Sequence, residues 1–246
     1  MRVSSSQGVF GAIPWKAFDF LTLYFQHGGY GDAGAALMAN MFMLGAAVGG
    51  VVGGMVSDSC QRCSPNHGRI FLVQAADLVR LPLVLWILRP VPGGARGGAA
   101  GGAAKDGGLY YGALLLLLGF FAPWVGVANK AIFAEVTPTS ARASAVSANA
   151  AIEGAFAAVF GAPLVGYIAT AYYGYTTPAA GLSVAQMEPA LRQANEAALG
   201  ASLFAMSIWP WIVCLLLYTL VHFTFAHDRR VALAADRDEA STNSDQ

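Results

Sequence analysis

Long apolar runs alternate with short polar turns along this chain. A helix that crosses a bilayer core needs roughly 20 mainly apolar residues. Six runs reach that length: Gln7 to Gln26, Ala33 to Val56, Ile70 to Leu88, Leu109 to Ile132, Ala143 to Tyr172 and Leu203 to Phe225. The breaks between them carry the usual punctuation. His27 to Asp32 is a Gly-rich turn, and Thr137-Pro138-Thr139-Ser140 ends the fourth run and offers capping oxygens to the fifth. Residues 89–108 form a Gly/Ala-rich linker of low complexity. Between Gly174 and Ala201 the chain is more polar, and Val184 to Leu199 has the pattern of a short surface helix. The pattern predicts an all-α, polytopic membrane domain over residues 1–226, followed by a charged, disordered cytoplasmic tail over 227–246.

Composition strengthens this picture. Of 246 residues, 56% are hydrophobic and only 11% charged, and the mean hydropathy is +0.53. Soluble domains average about 25% charged residues, so these apolar faces are expected to meet lipid. A net charge of zero gives no general attraction to nucleic acid. With both termini cytoplasmic, eight Lys and Arg residues lie inside (Arg2, Arg62, Arg69, Lys130, Arg142, Arg229, Arg230, Arg237). Four lie outside (Arg89, Arg96, Lys105, Arg192), a modest positive-inside bias.

The second run is dense in glycine. Gly45, Gly49 and Gly53 repeat at four residues, as do Gly50 and Gly54, which places a groove on one helix face for close approach of another helix. A polar loop follows, with Gly54-x-x-x-Asp58 at its front edge and His67-Gly68-Arg69 at its back edge. Within it, Cys60-x-x-Cys63 and His67 supply three donors where zinc usually takes four, so no metal site is predicted. No phosphate-binding loop follows a strand pattern, and no fixed catalytic constellation appears. No cofactor is therefore expected, nor an ATP-driven activity.

Charged residues inside the apolar runs are the candidates for chemistry. Glu153 lies ten residues into the fifth run, ~15 Å deep at ~1.5 Å per residue, near the bilayer midplane. A carboxyl there is costly unless protonated or paired, and it normally faces the bundle interior or a wet cavity. Two readings follow: a proton-coupling or substrate-binding acid, or a structural carboxyl bonded to a neighbouring helix. Lys16 and Asp19, and likewise Asp77 and Arg80, are spaced i,i+3 and can bridge within one helix. His222, in the sixth run, reads as a packed or snorkelling side chain.

Several blocks together resemble the major facilitator superfamily of transporters. They are Gln7-Gly-Val-Phe-Gly-Ala-Ile-Pro-Trp15, Gly54-x-x-x-Asp58 with Gly68-Arg69, and Gln74 with Leu81-Pro82-Leu83. Asn129-x-x-Ile-Phe-Ala-Glu135 with Pro138 and Arg142, and Glu153-Gly154 with Ala162-Pro163-Leu164-Val165-Gly166, complete the set. The long loop, with Ser59 after Asp58, is similar to a plant and protist branch distantly like spinster-type proteins. The match covers most of residues 7–175. Lys16, Asp19, Asp77 and Arg80 depart from the pattern, and Asn149 and Ala150 stand where an acid and a base are usual.

The resemblance implies six transmembrane helices as two three-helix inverted repeats, equivalent to the C-terminal half of a twelve-helix protein. An N-terminal half or a second six-helix protomer would then complete it. It implies that Trp15, Lys16, Asp19, Phe120, Phe121 and Trp124 line a central cavity, although the aromatics read more simply as plain packing. It makes Asp77 and Arg80 peripheral, a local salt bridge. It assigns Gly54, Asp58, Arg62, Gly68 and Arg69 to a gating loop, with Glu135 and Arg142 extending the charge network. The expected function is secondary, non-enzymatic transport of a small or amphiphilic organic solute, with proton coupling or solute binding assigned to Glu153 and with Lys16 and Asp19 as its partners. Two rivals are a membrane scaffold that only oligomerises, and an integral-membrane enzyme using Glu153, Asp19 and Asp77.

Overall fold

The computed structural model describes residues 2–89, 103–178 and 182–244. Its regular structure is entirely helical: α1 (Arg2–Ala17), α2 (Leu21–His27), α3 (Asp32–Cys63), α4 (Gly68–Leu88), α5 (Ala103–Glu135), α6 (Arg142–Phe160), α7 (Ala162–Ala171) and α8 (Pro189–Ser244). Three 3₁₀ turns, Phe18–Phe20, Thr139–Ala141 and Val184–Gln186, punctuate them. Five stretches are long and apolar enough to cross a membrane: Asp32–Cys63, Gly68–Leu88, Gly107–Glu135, Thr139–Ala171 and Pro189–Thr242. The multi-pass membrane class therefore stands.

Element boundaries differ from the sequence reading in four places, each with a local cause. The first expected span is split into α1 and α2 by the Phe18–Phe20 turn, four residues after Pro14. The fifth expected span breaks at Gly161, whose backbone (φ −82°, ψ −96°) leaves the helical region just before Ala162-Pro163. The fourth helix begins at Ala103, inside the stretch read as linker, and linker residues 90–102 lie outside the described residues.

The fourth difference is the largest. The separate surface helix, the sixth span and most of the tail are one helix of 56 residues, α8. At ~1.5 Å per residue it is ~84 Å long, well beyond the ~30 Å hydrocarbon core. The charged composition of the tail predicts disorder. Its charges find partners instead. Asp236 accepts hydrogen bonds from the Thr139 backbone N–H (2.7 Å) and hydroxyl (3.0 Å). Glu239 accepts one from Ser140 (2.8 Å), and Ala232 is buried. Residues 245 and 246 lie outside the described residues.

Packing follows the glycine pattern. The α3 stripe Phe42, Gly45, Gly49, Gly53 is buried, and its partner is α5. A Cβ at Gly45 or Gly49 would overlap the carbonyl oxygen of Leu116 or Phe120, and one at Gly119 of α5 would overlap that of Phe42. The two backbones are therefore in direct contact. Further contacts join α1 to α8 and α6, and α4 to α5 and α8.

The core forms two apolar clusters. One holds Phe18, Tyr24, Phe42, Leu115, Leu203 and Trp211. The other holds Ile70, Ala128, Ile132, Cys214, Tyr218 and Val221. At the outer end of the first, His27 is buried and meets Tyr175 Oη at 3.2 Å. Asn195 of α8 holds the same loop by bonding both the N–H and the C=O of Thr176. Burial, and secondarily the charge of Arg192, pushes the His27 imidazole down to about 4.

Candidate functional site

Where the two clusters meet, the interior turns polar. Arg80 and Asp77 of α4 form an ion pair there, both buried. Arg80 also donates to the Ala122 carbonyl of α5 (3.2 Å) and lies over the Trp211 ring of α8, 4.4 Å from its centroid. Two charges withdrawn from solvent need this degree of pairing. The bridge read from the i,i+3 spacing is present, but it joins three helices and is not peripheral.

Beside Arg80 lies a cavity of about 190 Å³. Its walls come from α1 (Gly8, Gly11, Ala12, Trp15), α4 (Arg80), α5 (Ala122, Val125, Gly126, Asn129, Lys130), α6 (Glu153) and α8 (Tyr218). Five helices thus converge on one polar space. Glu153 supplies its carboxylate. Oε1 accepts a hydrogen bond from Asn149 Nδ2, one turn earlier on α6 (2.7 Å), and from Asn129 Nδ2 of α5 (3.4 Å). Gly8 makes the space for it: a Cβ there would coincide with the Glu153 carboxyl. Measured from Arg142 at ~1.5 Å per residue, Glu153 stands ~16 Å along α6, about half the hydrocarbon thickness.

The other candidate residues divide between this cavity and elsewhere. Trp15 lines it. Lys16 and Asp19 do not; they bridge at 3.5 Å on the outer surface, with side chains 51% and 59% exposed. The aliphatic stem of Lys16 covers Gly161 at the α6–α7 break. Phe120, Phe121 and Trp124 form an aromatic cluster on a different face of α5, and Trp124 packs on Gly53 of α3. Of the three carboxylates in the enzyme reading, only Glu153 lines the cavity. Asp19 and Asp77 are each bridged to a cation of their own helix or its extension. Asn129, Asn149, Arg80, Gly8 and Tyr218 went unassigned as site residues. The signal for Asn149 and Asn129 was in the chain: amides at helical spacing from, or facing, a mid-span carboxyl.

A second polar centre closes the end of the bundle at the α3–α4 hairpin. Arg69 pairs with Asp58 (2.7 Å) and with Glu135. Glu135 also accepts from Gln61 (2.6 Å) and faces Arg229 Nε at 3.5 Å. One network thus ties α3, α4, α5 and α8. Of the residues read as a gating loop, Asp58, Arg69 and Glu135 meet in it. Gly68 permits the tight hairpin, since a Cβ there would overlap the Cys60 carbonyl. At Gly54 an added Cβ would meet only Val127, at an ordinary 3.7 Å. Arg62 is exposed and outside the network, and Arg142 turns to Thr137 O and Thr139 Oγ1, each at 3.4 Å. Arg229 was missed because it lies in the segment read as disordered.

No group of three or more His, Cys, Asp or Glu suited to a metal occurs among the described residues, and the three cysteines are free thiols. A larger space of about 610 Å³ lies between α3 and α5, lined by Tyr30, Leu37, Met38, Met41 and Leu116 among others, with no charged group in its wall. No family model matches this chain, and no curated protein or solved structure matches it either.

Proposed function

We propose that this protein is a secondary transporter of a small organic solute, of the major facilitator type, coupled to protons through Glu153. The observation that carries the reading is the mid-span carboxylate, held by two amides at the edge of a polar cavity where five helices converge. A carboxyl in such a place is expensive to keep, and proton relays and solute sites are the common reasons for one. Lys130 and Arg80 share the cavity. With Arg80 paired to Asp77, the Glu153 proton sets the balance of charge that a solute meets.

The packing supports two three-helix repeats. Take α1–α2, α3 and α4 as one set, and α5, α6–α7 and α8 as the other. Exchanging the sets turns the α3–α5 contact into α6–α1, α4–α5 into α8–α1, and α3–α4 into α7–α8, and each of these contacts exists. A site between repeats and rocking of one bundle against another are the working parts of such folds. Residues 139–171 are the least buried of the five membrane-length stretches, with α6 held mainly by α1. The cavity is also smaller than the ~300–1,000 Å³ usual for solute sites. Both features fit a bundle completed by a second one, either an N-terminal half or another copy. In that setting the Asp58–Arg69–Glu135–Arg229 network is a gate latch on the cytoplasmic side.

The test is current across a supported membrane carrying reconstituted protein. Amino acids, short-chain carboxylates and amines are applied one at a time under an inward proton gradient. At least one solute evokes current, and Glu153→Gln removes it. Absence of both current and proton-driven uptake of labelled solute above protein-free controls, for every solute class, refutes the reading and favours a scaffold.

A further inference from the structure

Two histidines far apart in sequence meet at the hairpin end of the bundle. His67 precedes α4, and His222 lies on α8, with its Nδ1 2.9 Å from His67 Nδ1. Their rings are 5.0 Å apart, and Phe71 covers His222 at 4.6 Å. The His222 Nε2 faces Gln74 Oε1 at 3.2 Å. Gln74 Nε2 donates to Thr219 Oγ1 (3.1 Å), and Thr219 donates its hydroxyl proton to the Leu215 carbonyl (3.0 Å).

This chain of bonds determines where the protons sit. Thr219 has one proton, committed to Leu215, so Thr219 must accept from Gln74. That turns the Gln74 carbonyl toward His222, which must present Nε2–H. A neutral imidazole has one N–H and one lone pair, so His222 Nδ1 is an acceptor. His67 must then donate from its own Nδ1. The contact thus tolerates one proton between the rings. A second, on His222, would set N–H against N–H at a distance that only a hydrogen bond allows.

We propose that the His67–His222 pair is a pH-operated lock between the α3–α4 hairpin and α8: a first added proton is accommodated on His67 Nε2 and leaves the Nδ1–H···Nδ1 bond in place, and the lock opens when acid protonates both rings. Histidine is the side chain whose ordinary titration falls in the physiological range. The position gives the lock leverage. Arg229 lies seven residues, two turns, beyond His222 on α8, and joins Glu135 and Arg69, two residues from His67. The hairpin is therefore tied to α8 at two points, of which acid releases one. The other ionisable groups on these elements near the pair are Cys60, Arg62, Cys63 and Asp58 on α3, Arg69, Asp77 and Arg80 on α4, and Tyr218, His227, Asp228, Arg229 and Arg230 on α8. Among the described residues none of them hydrogen-bonds either ring. Among the described residues no third His, Cys, Asp or Glu completes a metal site with the pair.

The experiment uses the intact protein in lipid nanodiscs. Nitrogen-15 NMR of labelled histidine at about pH 8 is expected to show His67 as the less common Nδ1–H form and His222 as Nε2–H. Amide exchange of residues 64–71, corrected for intrinsic rate, is expected to rise roughly fivefold at about pH 5, the weight of one hydrogen bond. His222→Ala is expected to exchange fast at both pH values. Finding His67 as Nε2–H at about pH 8 overturns the lock, and that result needs no variant to fold. So does corrected exchange independent of pH in the native protein, or a native pH response retained in His222→Ala.

Discussion

Neighbouring glycines on α3 give a sharp test of how the bundle is packed. Gly49 and Gly50 share one helix and one local environment of propensity, and alanine is favoured over glycine there by about 1 kcal/mol. They differ in what a methyl group meets. At Gly50 the nearest atom is Pro123 Cβ at 3.9 Å, an ordinary contact. At Gly49 it is the Phe120 carbonyl, part of a backbone that cannot rotate aside. Overpacking of this kind costs about 1–3 kcal/mol, and more where backbone must move. Gly50→Ala should then gain up to about 1 kcal/mol of stability, and Gly49→Ala should lose about 1–2 net. Gly53→Ala should fall between them, because its obstacle is the Trp124 ring at 2.6 Å, a side chain that can swing. The assay is thermal unfolding of all three variants in one detergent, read by tryptophan fluorescence. A spread of about 2–3 kcal/mol corresponds to roughly 4–12 °C. Equal melting temperatures for Gly49→Ala and Gly50→Ala would refute direct backbone contact between α3 and α5.

Further predictions concern the charged and polar centres. Asp77→Ala strands Arg80 in the interior and should cost about 3–5 kcal/mol, whereas Asp77→Leu with Arg80→Met should recover most of that loss; melting temperatures of the single and double variants decide it. His27 should loosen the outer loop in acid. Its folded value of about 4 lies below the ordinary 6.5, so protons favour the open state as pH falls through 6.5, and the loss is complete near 4. Amide exchange of residues 172–178 should rise over that window, and His27→Phe should flatten the response. Asp236→Ala removes the carboxylate that caps the Thr139 turn and should loosen it, seen as faster exchange of residues 139–143.

How much of this was legible in the chain depends on the range of the interaction. Apolar runs of span length reported the membrane helices, because burial in lipid acts residue by residue. The four-residue glycine spacing reported a helix contact, but only the fold identified α5 as the partner. Asp58, Arg69 and Glu135 were recognisable as a set through their loop motif. Arg229 was not, since a charged tail looks solvated until its partners are placed. The same applies to Asp236 and Glu239, whose carboxylates bind a turn nearly 100 residues earlier. Lys16 and Asp19 looked like cavity charges by depth alone. Depth says nothing of facing, and both side chains lie on the outer surface. Phe120 and Trp124 sit at the right depth too, on the α5 face that meets α3.

The central claim is that Glu153 couples proton movement to solute movement. The most direct measurement compares two fluxes in proteoliposomes carrying the native protein or Glu153→Gln, with a solute identified from current recordings. One is exchange of labelled for unlabelled solute at equal pH on both sides. The other is uphill accumulation under an inward proton gradient. Coupling through Glu153 predicts that the variant keeps exchange and loses accumulation. Accumulation by Glu153→Gln at the native rate would contradict the account.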